Sequence, residues 1–474
     1  MDCGSQDCVV NVDSNEKQPR AKCRLWFQAF IVLSATFSNL SDGMGTGWTS
    51  TAVADMMSTN GTLSITIDSN QAALIGTLPM YAIFCSAPVS IYSANKIGRK
   101  WTILWGCTLT CISWICLSLV ATDVATIYAA AFLRGFGGSV IFTIIPMYSA
   151  EIAHVSIRGL LGSFVPAMMN IGVLLSYVTT IYLPLWVTAT VAAVAAFIVW
   201  PLFSWAPQSP YYILVSSRDR IKAREALCKL QGDGQHIDTE LSNMEVAAAA
   251  ENLERENAVP ILELVTIPAN RKVTFIVVTL QFIQQLTGVD AILIFLEFIL
   301  EEKNSSIIFG VGKLVSCLLS LVLIDRLGRK PLLVFSCVMS CLTLVTLGGY
   351  FYVKDALASD VSAVRSWLPL GTLVLFICCY NVGLGIVPFI LGGEMYPTRI
   401  KALGVTFGEV MYALPMIIAT EVFSRTREAY GLYFPIWLFA GFSFLGAIFC
   451  LVFVIETKGK TLQDIQRELK QQSA

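Results

Sequence analysis

Two copies of one short polar motif divide the chain: Asn-Lys-Ile-Gly-Arg-Lys at positions 95–100 and Asp-Arg-Leu-Gly-Arg-Lys at positions 325–330. Each copy directly follows a long apolar run, and each has a glycine where the chain must reverse tightly. The same element at matched positions predicts that the protein is built from two similar halves.

A second pair of matched residues supports this duplication. Glu151 and Arg158 follow the fourth apolar run, and Glu394 and Lys401 follow the tenth. Two parallel repeats of six helices are typical of membrane carriers that expose one site alternately to each side. The spacing therefore favours a duplicated bundle over an unrelated pair of domains.

The composition indicates a membrane protein. Of 474 residues, 55% are hydrophobic and only 14% are charged, whereas soluble domains carry roughly 25% charged residues. Runs such as 101–120 match the ~20 apolar residues that a spanning helix needs, and they lack the alternation of a barrel strand. The sequence predicts an all-α membrane protein whose twelve spans lie near 25–47, 71–93, 101–121, 126–149, 159–181, 185–205, 272–299, 306–324, 331–352, 366–392, 402–424 and 432–455.

The placement of basic residues predicts the orientation in the membrane. Most of the 32 lysines and arginines fall in segments that become cytosolic if both termini are cytosolic, as the positive-inside rule requires. The polar residues 1–24 precede an apolar run without a small-residue cleavage site, which favours a cytosolic tail over a signal peptide. Asn60-Gly61-Thr62 is a glycosylation acceptor that this topology places outside.

These patterns predict five segments. A polar stretch with two helical patterns, at 218–230 and 239–256, separates the bundles. The segments are a cytosolic tail at 1–24, an amino-terminal six-helix bundle at 25–205, a cytosolic linker with short helices at 206–271, a carboxy-terminal six-helix bundle at 272–455 and a cytosolic tail at 456–474.

Several function classes are disfavoured. The two histidines, His154 and His236, cannot build a metal or catalytic centre by themselves, and no span carries a nucleophile, a base and an orienting group at a recognisable spacing. The fourteen cysteines lie in predicted spans or cytosolic segments, so disulfides are not expected. We expect no enzyme activity, cofactor, metal or nucleic-acid partner, and a protein that functions as a monomer.

Six motifs carry a family resemblance along nearly the whole chain. They are Arg-Gly-Phe-Gly-Gly at 134–138, Pro-Met-Tyr-Ser-Ala-Glu at 146–151, Arg158-Gly159, Gln-Gln-Leu-Thr-Gly at 284–288, the motif at 325–330 and Glu-Thr-Lys-Gly at 456–459. Together they resemble sugar porters of the major facilitator superfamily. Gly-Trp-Thr-Ser at 47–50 and Pro166 with Asn170-Ile171-Gly172 resemble insect trehalose-transporter-like proteins in particular.

The resemblance implies a sugar site near the bilayer midplane. Gln284 and Gln285 resemble the family's paired glutamines, whose amides can bond several hydroxyls; bonding between neighbouring helices is the alternative role. Asn381 stands in place of a family glutamate, Phe389 in place of a ring-stacking tryptophan, and Tyr412 in place of an asparagine. Phe389 offers an apolar face to the sugar ring or packs against other helices.

Asp290 and Lys313 are charged residues inside the seventh and eighth predicted spans. Asp290 stands where the family usually has asparagine, and Lys313 stands where it typically has another amide. Because a lone charge at this depth costs roughly 2.5 to 3.5 kcal/mol on insertion scales, we predict that Asp290 and Lys313 face each other across spans 7 and 8. A charge-assisted bridge with spare capacity for hydroxyls then alters sugar specificity; a structural bridge or an outward-snorkelling lysine is the alternative.

The polar motifs predict latches that hold helix ends together, with plain basicity of the membrane surface as the alternative. Asn95 and Gln208 replace two family carboxylates, so we hypothesise that the inner gate of the amino-terminal half is loosened and that the resting protein favours an inward-open state. The predicted latch residues are Arg99, Glu151, Arg158, Asp325, Arg329, Glu394, Lys401 and Glu456.

Asp42 and Arg134 are predicted to be supporting charges inside the membrane. An intramembrane carboxylate beside a cation can relay protons, but family symporters place their aspartate one turn later, where this chain has Gly45. Facilitated transport of a hexose or trehalose across the plasma membrane is therefore favoured. A proton-coupled sugar symporter and a sugar sensor that does not transport are the alternatives.

Overall fold

The computed structural model describes residues 25–58, 65–119, 123–154, 157–232, 236–256, 263–300, 303–357, 367–396, 401–458 and 460. The tail at 1–24, most of the tail at 456–474 and the glycosylation acceptor Asn60 lie outside these residues. The backbone of Arg158, Asp325 and Lys401 lies in helices, but their side chains are outside the described set.

Helices make up nearly all of the described chain, which contains no strand. The amino-terminal half consists of α1 (Leu25–Met57), α2 (Ser69–Lys96), α3 (Arg99–Leu119), α4 (Val124–Ile152), α5 (Arg158–Tyr182) and α6 (Leu185–Phe203). Short helices follow: α7 (Pro210–Ser217), α8 (Arg220–Gln231), α9 (His236–Glu256) and α10 (Glu263–Thr266). The carboxy-terminal half consists of α11 (Pro268–Leu286), α12 (Val289–Ile294), α13 (Leu296–Leu300), α14 (Lys303–Leu327), α15 (Arg329–Phe351), α16 (Trp367–Val382), α17 (Val387–Met395), α18 (Lys401–Tyr430) and α19 (Tyr433–Phe453).

Eleven stretches of the described chain are long and apolar enough to cross a membrane. The remaining predicted span, the first one at 25–47, corresponds to α1, which has 33 residues but is too polar to be among the eleven. It buries polar side chains such as Gln28, Ser38 and Asn39, so other helices and not lipid surround its polar stripe. This helix continues past the predicted end at residue 47 to Met57.

Two predicted continuous spans are broken. The predicted span 272–299 is interrupted at Gly288, whose φ of 78° lies in the left-handed region that favours glycine. The predicted span 366–392 is interrupted by a turn over residues 383–386, after which Pro388 begins α17. Breaks of this kind free backbone groups inside the membrane, where they line binding sites. The sequence did not predict these interruptions, because both segments are continuously hydrophobic.

Small residues let α1 and α5 approach closely. A Cβ atom added to Gly43 would lie 2.0 Å from the Met169 carbonyl oxygen, and one added to Gly172 would lie 2.0 Å from the Leu40 carbonyl oxygen. Close backbone approach through small residues is a common way for membrane helices to associate, since lipid tails give no hydrophobic drive between them. This contact fixes the centre of the amino-terminal half.

The segment between the halves folds into its own small helical cluster. Leu214, Ala223, Leu227, Ile237 and Leu241 form its buried core. The predicted patterns correspond to α8 and α9, while sequence analysis missed α7. The first turn of α8 is capped, because the Asp219 carboxylate accepts a hydrogen bond from the Lys222 amide at 3.1 Å.

Candidate functional site

The first polar motif forms a buried ion pair in the amino-terminal half. Arg99, 1% exposed, donates to Glu151 Oε1 from Nε at 3.0 Å and from Nη2 at 2.8 Å. Its Nη1 donates to the Ala94 carbonyl at 3.2 Å, and its guanidinium carbon lies 5.1 Å from the centre of the Tyr212 ring. The pair therefore joins the start of α3 to the end of α4 and to α7.

The second polar motif repeats this arrangement in the carboxy-terminal half. Arg329 Nη2 donates to Glu394 Oε1 at 2.9 Å, and its Nη1 donates to the Ile324 carbonyl at 3.3 Å. Thr457 donates to the other oxygen of Glu394 at 2.5 Å. We call the end of the molecule that carries both arginines the latch face, and the opposite end the far face.

Matching residues cap the helices that begin at the latches. Gln208 Oε1 accepts a hydrogen bond from the Lys100 amide at 3.0 Å. Glu456 accepts hydrogen bonds from the amides of Arg329 and Lys330, each at 3.0 Å. The Gln208 side chain therefore lies over the first turn of α3 and caps that helix. All of these contacts lie within one half.

The Glu456 carboxylate is electrostatically stabilised. Partial burial opposes its ionisation, but the amides of Arg329, Lys458 and Lys330 donate to it, and together they hold its pKa below the usual glutamate range. The carboxy-terminal cap is therefore charged at neutral pH, whereas the amino-terminal cap at Gln208 is neutral.

Hydrogen bonds across the far face join the two halves. Thr51 of α1 donates to Glu297 of α13 at 2.7 Å. From α18, Arg427 Nη2 donates to the Ser69 hydroxyl at 2.9 Å and Ser424 donates to the Ser69 carbonyl at 3.1 Å. On the latch side of the described residues, one such contact joins the halves: Thr143 Oγ1 lies 3.5 Å from a carboxylate oxygen of Glu409. The halves are thus closed mainly at the far face.

The paired glutamines lie beside the break between α11 and α12. Gln284 Nε2 donates to the Gly385 carbonyl at 3.4 Å, and the Tyr380 hydroxyl donates to the Gln284 carbonyl at 3.4 Å. The Gln284 side-chain oxygen and both amide atoms of Gln285 are buried and make no hydrogen bond of ordinary geometry among the described residues, with Asp290 and Tyr412 close to the Gln285 amide. Buried amides normally find partners, so these atoms are available to a bound polar molecule.

Asp290 and Lys313 lie on facing sides of the same region. They interact electrostatically across the space between α12 and α14, but no nitrogen–oxygen distance of 4.0 Å or less joins the two described side chains. The direct bridge expected from the sequence is therefore not formed in this conformation. Asp290 Oδ2 is buried without a hydrogen-bond partner in the described chain, and Tyr412 lies within electrostatic range of this carboxylate.

The other two predicted ligands differ in availability. Asn381 Nδ2 donates to the Lys313 carbonyl at 3.2 Å and to the Ser316 hydroxyl at 2.9 Å, so its amide nitrogen already holds α16 against α14. The rings of Phe389 and Tyr412 lie 5.5 Å apart. They form an aromatic wall on the side of the region that Asp290 occupies.

The supporting charges meet in the amino-terminal half. Arg134 Nη1 lies 3.7 Å from Asp42 Oδ1, and Arg134 Nη2 donates to Thr49 at 3.4 Å. The Asp42 side chain is 24% exposed. Gly45 leaves room for the guanidinium, since a Cβ atom there would lie 2.0 Å from Arg134 Nη1. A side chain at position 45 would therefore have to displace the Arg134 guanidinium from its present place.

Three residues that lie at the site or in contacts between the halves were not predicted from the sequence. Tyr380 resembled an ordinary packing aromatic, and Arg427 fell beyond the predicted end of its span. Glu409 lay inside the predicted span 402–424, where a carboxylate is rare. That rarity was a usable signal, and it would have identified Glu409 as a candidate functional residue.

Comparisons with known proteins agree with this architecture. A profile of the family described as "Sugar (and other) transporter" matches residues 30–469. The facilitated trehalose transporter Tret1 of Culex quinquefasciatus is 30% identical over 98% of this chain and 89% of its own length. Tret1 of Aedes aegypti is 31% identical over 94% of this chain and 55% of its own length, so the chain spans only about half of that relative.

Solved structures share the fold. The inward-open xylose transporter XylE of E. coli superposes with a TM-score of 0.78 at 20% identity, covering 92% of this chain and 99% of that one. The major facilitator superfamily proton:xylose symporter XylE bound to 6-bromo-6-deoxy-D-glucose superposes with a TM-score of 0.73 at 20% identity, covering 94% and 99%. The predicted all-α membrane fold and the predicted family resemblance are confirmed.

Proposed function

Because the chain belongs to the family of sugar (and other) transporters, we propose that it carries a small sugar, trehalose or a hexose, down its concentration gradient. The two halves move about one central site and expose it alternately to each side. The observation that carries this proposal is the set of buried amide atoms of Gln284 and Gln285 that make no hydrogen bond of ordinary geometry in the described chain. The cargo crosses chemically unchanged, so no catalytic group is required.

A sugar needs several donors and acceptors held at fixed positions, together with an apolar face for the ring. Gln284 and Gln285 offer both kinds of amide group, and the wall formed by Phe389 and Tyr412 offers the apolar face. Asn381 contributes its remaining amide oxygen. These groups converge beside the helix break at Gly288, where carriers commonly place their sites.

Asp290 and Lys313 set the specificity of this site. Each group is more strongly polarising than the neutral amide that the family usually has there, and charge-assisted hydrogen bonds are about twice as strong as neutral ones. Since the two charges are not in direct contact, a hydroxyl group can lie between them. Sugars with a hydroxyl at that point gain affinity over deoxy analogues.

The latch face is cytosolic in this proposal, and both termini lie on that side of the plasma membrane. The concentration of lysine and arginine in the segments that end there supports this orientation. Contacts between the halves at the far face then correspond to an inward-open resting state. A single copy of the chain contains the whole site, so the monomer is the transporting unit.

Uptake into liposomes that contain the purified protein tests the proposal. We expect saturable uptake of radiolabelled trehalose or glucose, and a loss of about tenfold in apparent affinity in Gln285→Ala, equivalent to about 1.4 kcal/mol. Gln71→Ala, which removes an amide from the capped first turn of α2, is the matched control and retains affinity. Sugar binding without flux would indicate a sugar sensor that does not transport. If the protein shows no binding and no flux, both the transporter and the sensor are contradicted.

Proton-coupled symport is the second candidate. The 3.7 Å contact between Arg134 and Asp42 favours it, because a partly exposed carboxylate beside a cation can gain and lose a proton. An imposed pH gradient distinguishes the two: a symporter accumulates sugar above equilibrium, and Asp42→Asn abolishes this accumulation. Facilitated transport predicts equilibration at the same final level with or without the gradient.

A further inference from the structure

Among the described residues near the centre of the space between the halves, Glu409 differs from two pairs of opposite charges. Asp42 lies beside Arg134, and Asp290 interacts with Lys313. Glu409 of α18 also lies there, about 12 Å from the start of its helix, and among the described residues no basic side chain interacts with it. An intramembrane carboxylate without a counter-ion is costly and is usually functional.

The hydroxyl of Thr143 is shared between two acceptors. Its single proton is donated to the Ser139 carbonyl at 3.0 Å or, over a longer distance, to Glu409 Oε2 at 3.5 Å, so an ionised Glu409 competes for it with a shorter hydrogen bond. A hydroxyl group has one proton and two lone pairs. If Glu409 carries a proton, it donates to Thr143 while Thr143 donates to Ser139, and every group in this chain of hydrogen bonds is used.

We propose that Glu409 is a proton-binding site whose occupancy allows the latch face to close. This inference rests on the proposed transport function, since closure of that face is one half of the transport cycle. A proton from water on the latch side adds to Glu409 Oε2 and forms the O–H bond that donates to Thr143. Opening returns the carboxylate to water, and the proton leaves.

The surroundings of Glu409 contain other ionisable groups, none of which contributes an electrostatic interaction with it. On the helices packed against α18 and on α4, the acidic and basic residues are Lys96, Arg134, Glu151, Arg271, Lys272, Asp290 and Glu394. The state of Glu409 therefore depends on burial and on Thr143, and it changes as the two halves approach.

A proton fits this site better than a metal cation does. Hard cations need about six oxygen ligands, whereas the Thr143 hydroxyl is the one described side-chain oxygen within hydrogen-bonding distance of Glu409. Gly408, one residue before Glu409, lies against the Gln281 side chain of α11. One carboxylate and one hydroxyl suffice for a proton.

Fluorescence energy transfer across the latch face tests the proposal without requiring transport. Azide-bearing residues replace the exposed Trp101 of α3 and Phe335 of α15 and are coupled to dyes in lipid nanodiscs, which leaves the native cysteines in place. Lowering the pH from about 8 to about 5, close to the range in which glutamate carboxyl groups take up protons, should raise the transfer efficiency of the parent protein. Glu409→Gln, a neutral mimic, should give the high value at both pH values.

The controls separate this mechanism from others. Glu421→Gln makes the same chemical change on the outer part of α18, where Glu421 pairs with Arg425, and should keep the pH response. Glu409→Asp keeps a carboxylate and should also respond. A normal pH response in Glu409→Gln, no response in the parent, or a response that requires sodium would overturn the proposal. Because the readout is conformational, loss of sugar uptake alone would contradict only the proposed function.

Discussion

Gln208 and Glu456 cap matching helices in the two halves, each accepting the amide proton of a lysine, Lys100 or Lys330, at 3.0 Å. The two caps differ in charge. Gln208 also donates to the Ile97 carbonyl at 3.2 Å, a bond that a carboxylate cannot make. The neutral Gln208 side chain therefore both accepts and donates a hydrogen bond at its turn. The charged Glu456 side chain only accepts hydrogen bonds, and each of these is stronger because the acceptor is ionised.

Glu456→Gln should lower the free energy of unfolding by about 1 kcal/mol near neutral pH, allowing for partial screening by solvent. The lowered pKa of Glu456 means that its stabilisation is present above the unfolded pKa of about 4.3 and is lost as the pH falls through the folded value. Thermal unfolding in detergent at a series of pH values measures this. Glu428→Gln, an exposed residue, is the control; a difference from the parent that persists at the acid end would contradict the assignment.

Arg99→Ala should destabilise the protein by about 3 kcal/mol, because it leaves Glu151 partly buried without its ion-pair partner. Arg329→Ala should cost less, since Arg329 and Glu394 are more exposed and Glu394 keeps its bond from Thr457. Unfolding temperatures of both variants give the comparison. Arg99→Ala with Glu151→Ala should recover part of the loss, and equal losses for the two arginines would contradict the ranking.

The repeated motifs were sufficient to predict the duplicated fold and the family. In each copy of the motif the arginine forms an ion pair with a glutamate. Arg99 pairs with Glu151 after the fourth span, and Arg329 pairs with Glu394 after the tenth, as the matched spacing of the two glutamates indicated. The helix breaks at Gly288 and at 383–386 were not predictable from hydropathy, because the segments on either side are equally apolar. Position, and not composition, determines whether a glycine interrupts a helix.

Contacts between helices that are not linked by a repeated motif were the other limit of the sequence. Asp290 and Lys313 were expected in direct contact, but the distance between them depends on how α12 is placed against α14 after the helix break at Gly288, and no local pattern encodes that. The partner of Glu409 is a threonine from the opposite half, at a sequence separation that spacing arguments do not reach. The latch pairs, which repeat at matched spacings, were therefore more predictable than these two contacts.

Gly43→Ala and Gly172→Ala should each reduce stability and expression, because an added methyl group would overlap a backbone carbonyl of the partner helix. Backbone atoms cannot move aside as a flexible side chain can, so we expect losses of about 1 to 3 kcal/mol. Gly162→Ala on α5 is the matched control, with no atom within 4 Å of the added carbon. Fluorescence-detected size exclusion after heating ranks the three. Equal heat stability would show that the α1–α5 contact can relax.

Exchanging the charges at Asp290 and Lys313 tests their coupling. Asp290→Lys or Lys313→Asp alone places two like charges in the same region, which should impair folding and uptake. The double exchange should restore folding, because the electrostatic interaction is symmetric in sign. It should not restore the original preference among sugars, since donor and acceptor have changed places. If the double exchange folds and keeps the original preference for sugars over their deoxy analogues, the pair does not determine sugar specificity. If the double exchange does not restore folding, the two charges act independently.

Arg427→Met should shift the protein away from the state that is closed at the far face. Arg427 is 8% exposed, its guanidinium carbon lies 4.5 Å from the Phe298 ring and 4.9 Å from the Phe295 ring, and it donates to Ser69 across the halves at 2.9 Å. A cation–π contact is worth about 0.5 to 2 kcal/mol.

The two rings lie in the same half as Arg427 and hold its guanidinium in place, whereas the bond to Ser69 joins the halves. Because a hydrogen bond from a charged group contributes about 1.5 to 3 kcal/mol, its loss should change the ratio of closed to open far faces by about tenfold, at about 1.4 kcal/mol for each factor of ten. Energy transfer between dyes at the exposed Leu119 and Trp367, one in each half, should fall in Arg427→Met. Arg425→Met removes the cation of the exposed pair with Glu421 and should leave the transfer unchanged. An equal fall in both variants would show that charge on α18, and not the clamp around Arg427, controls the far face.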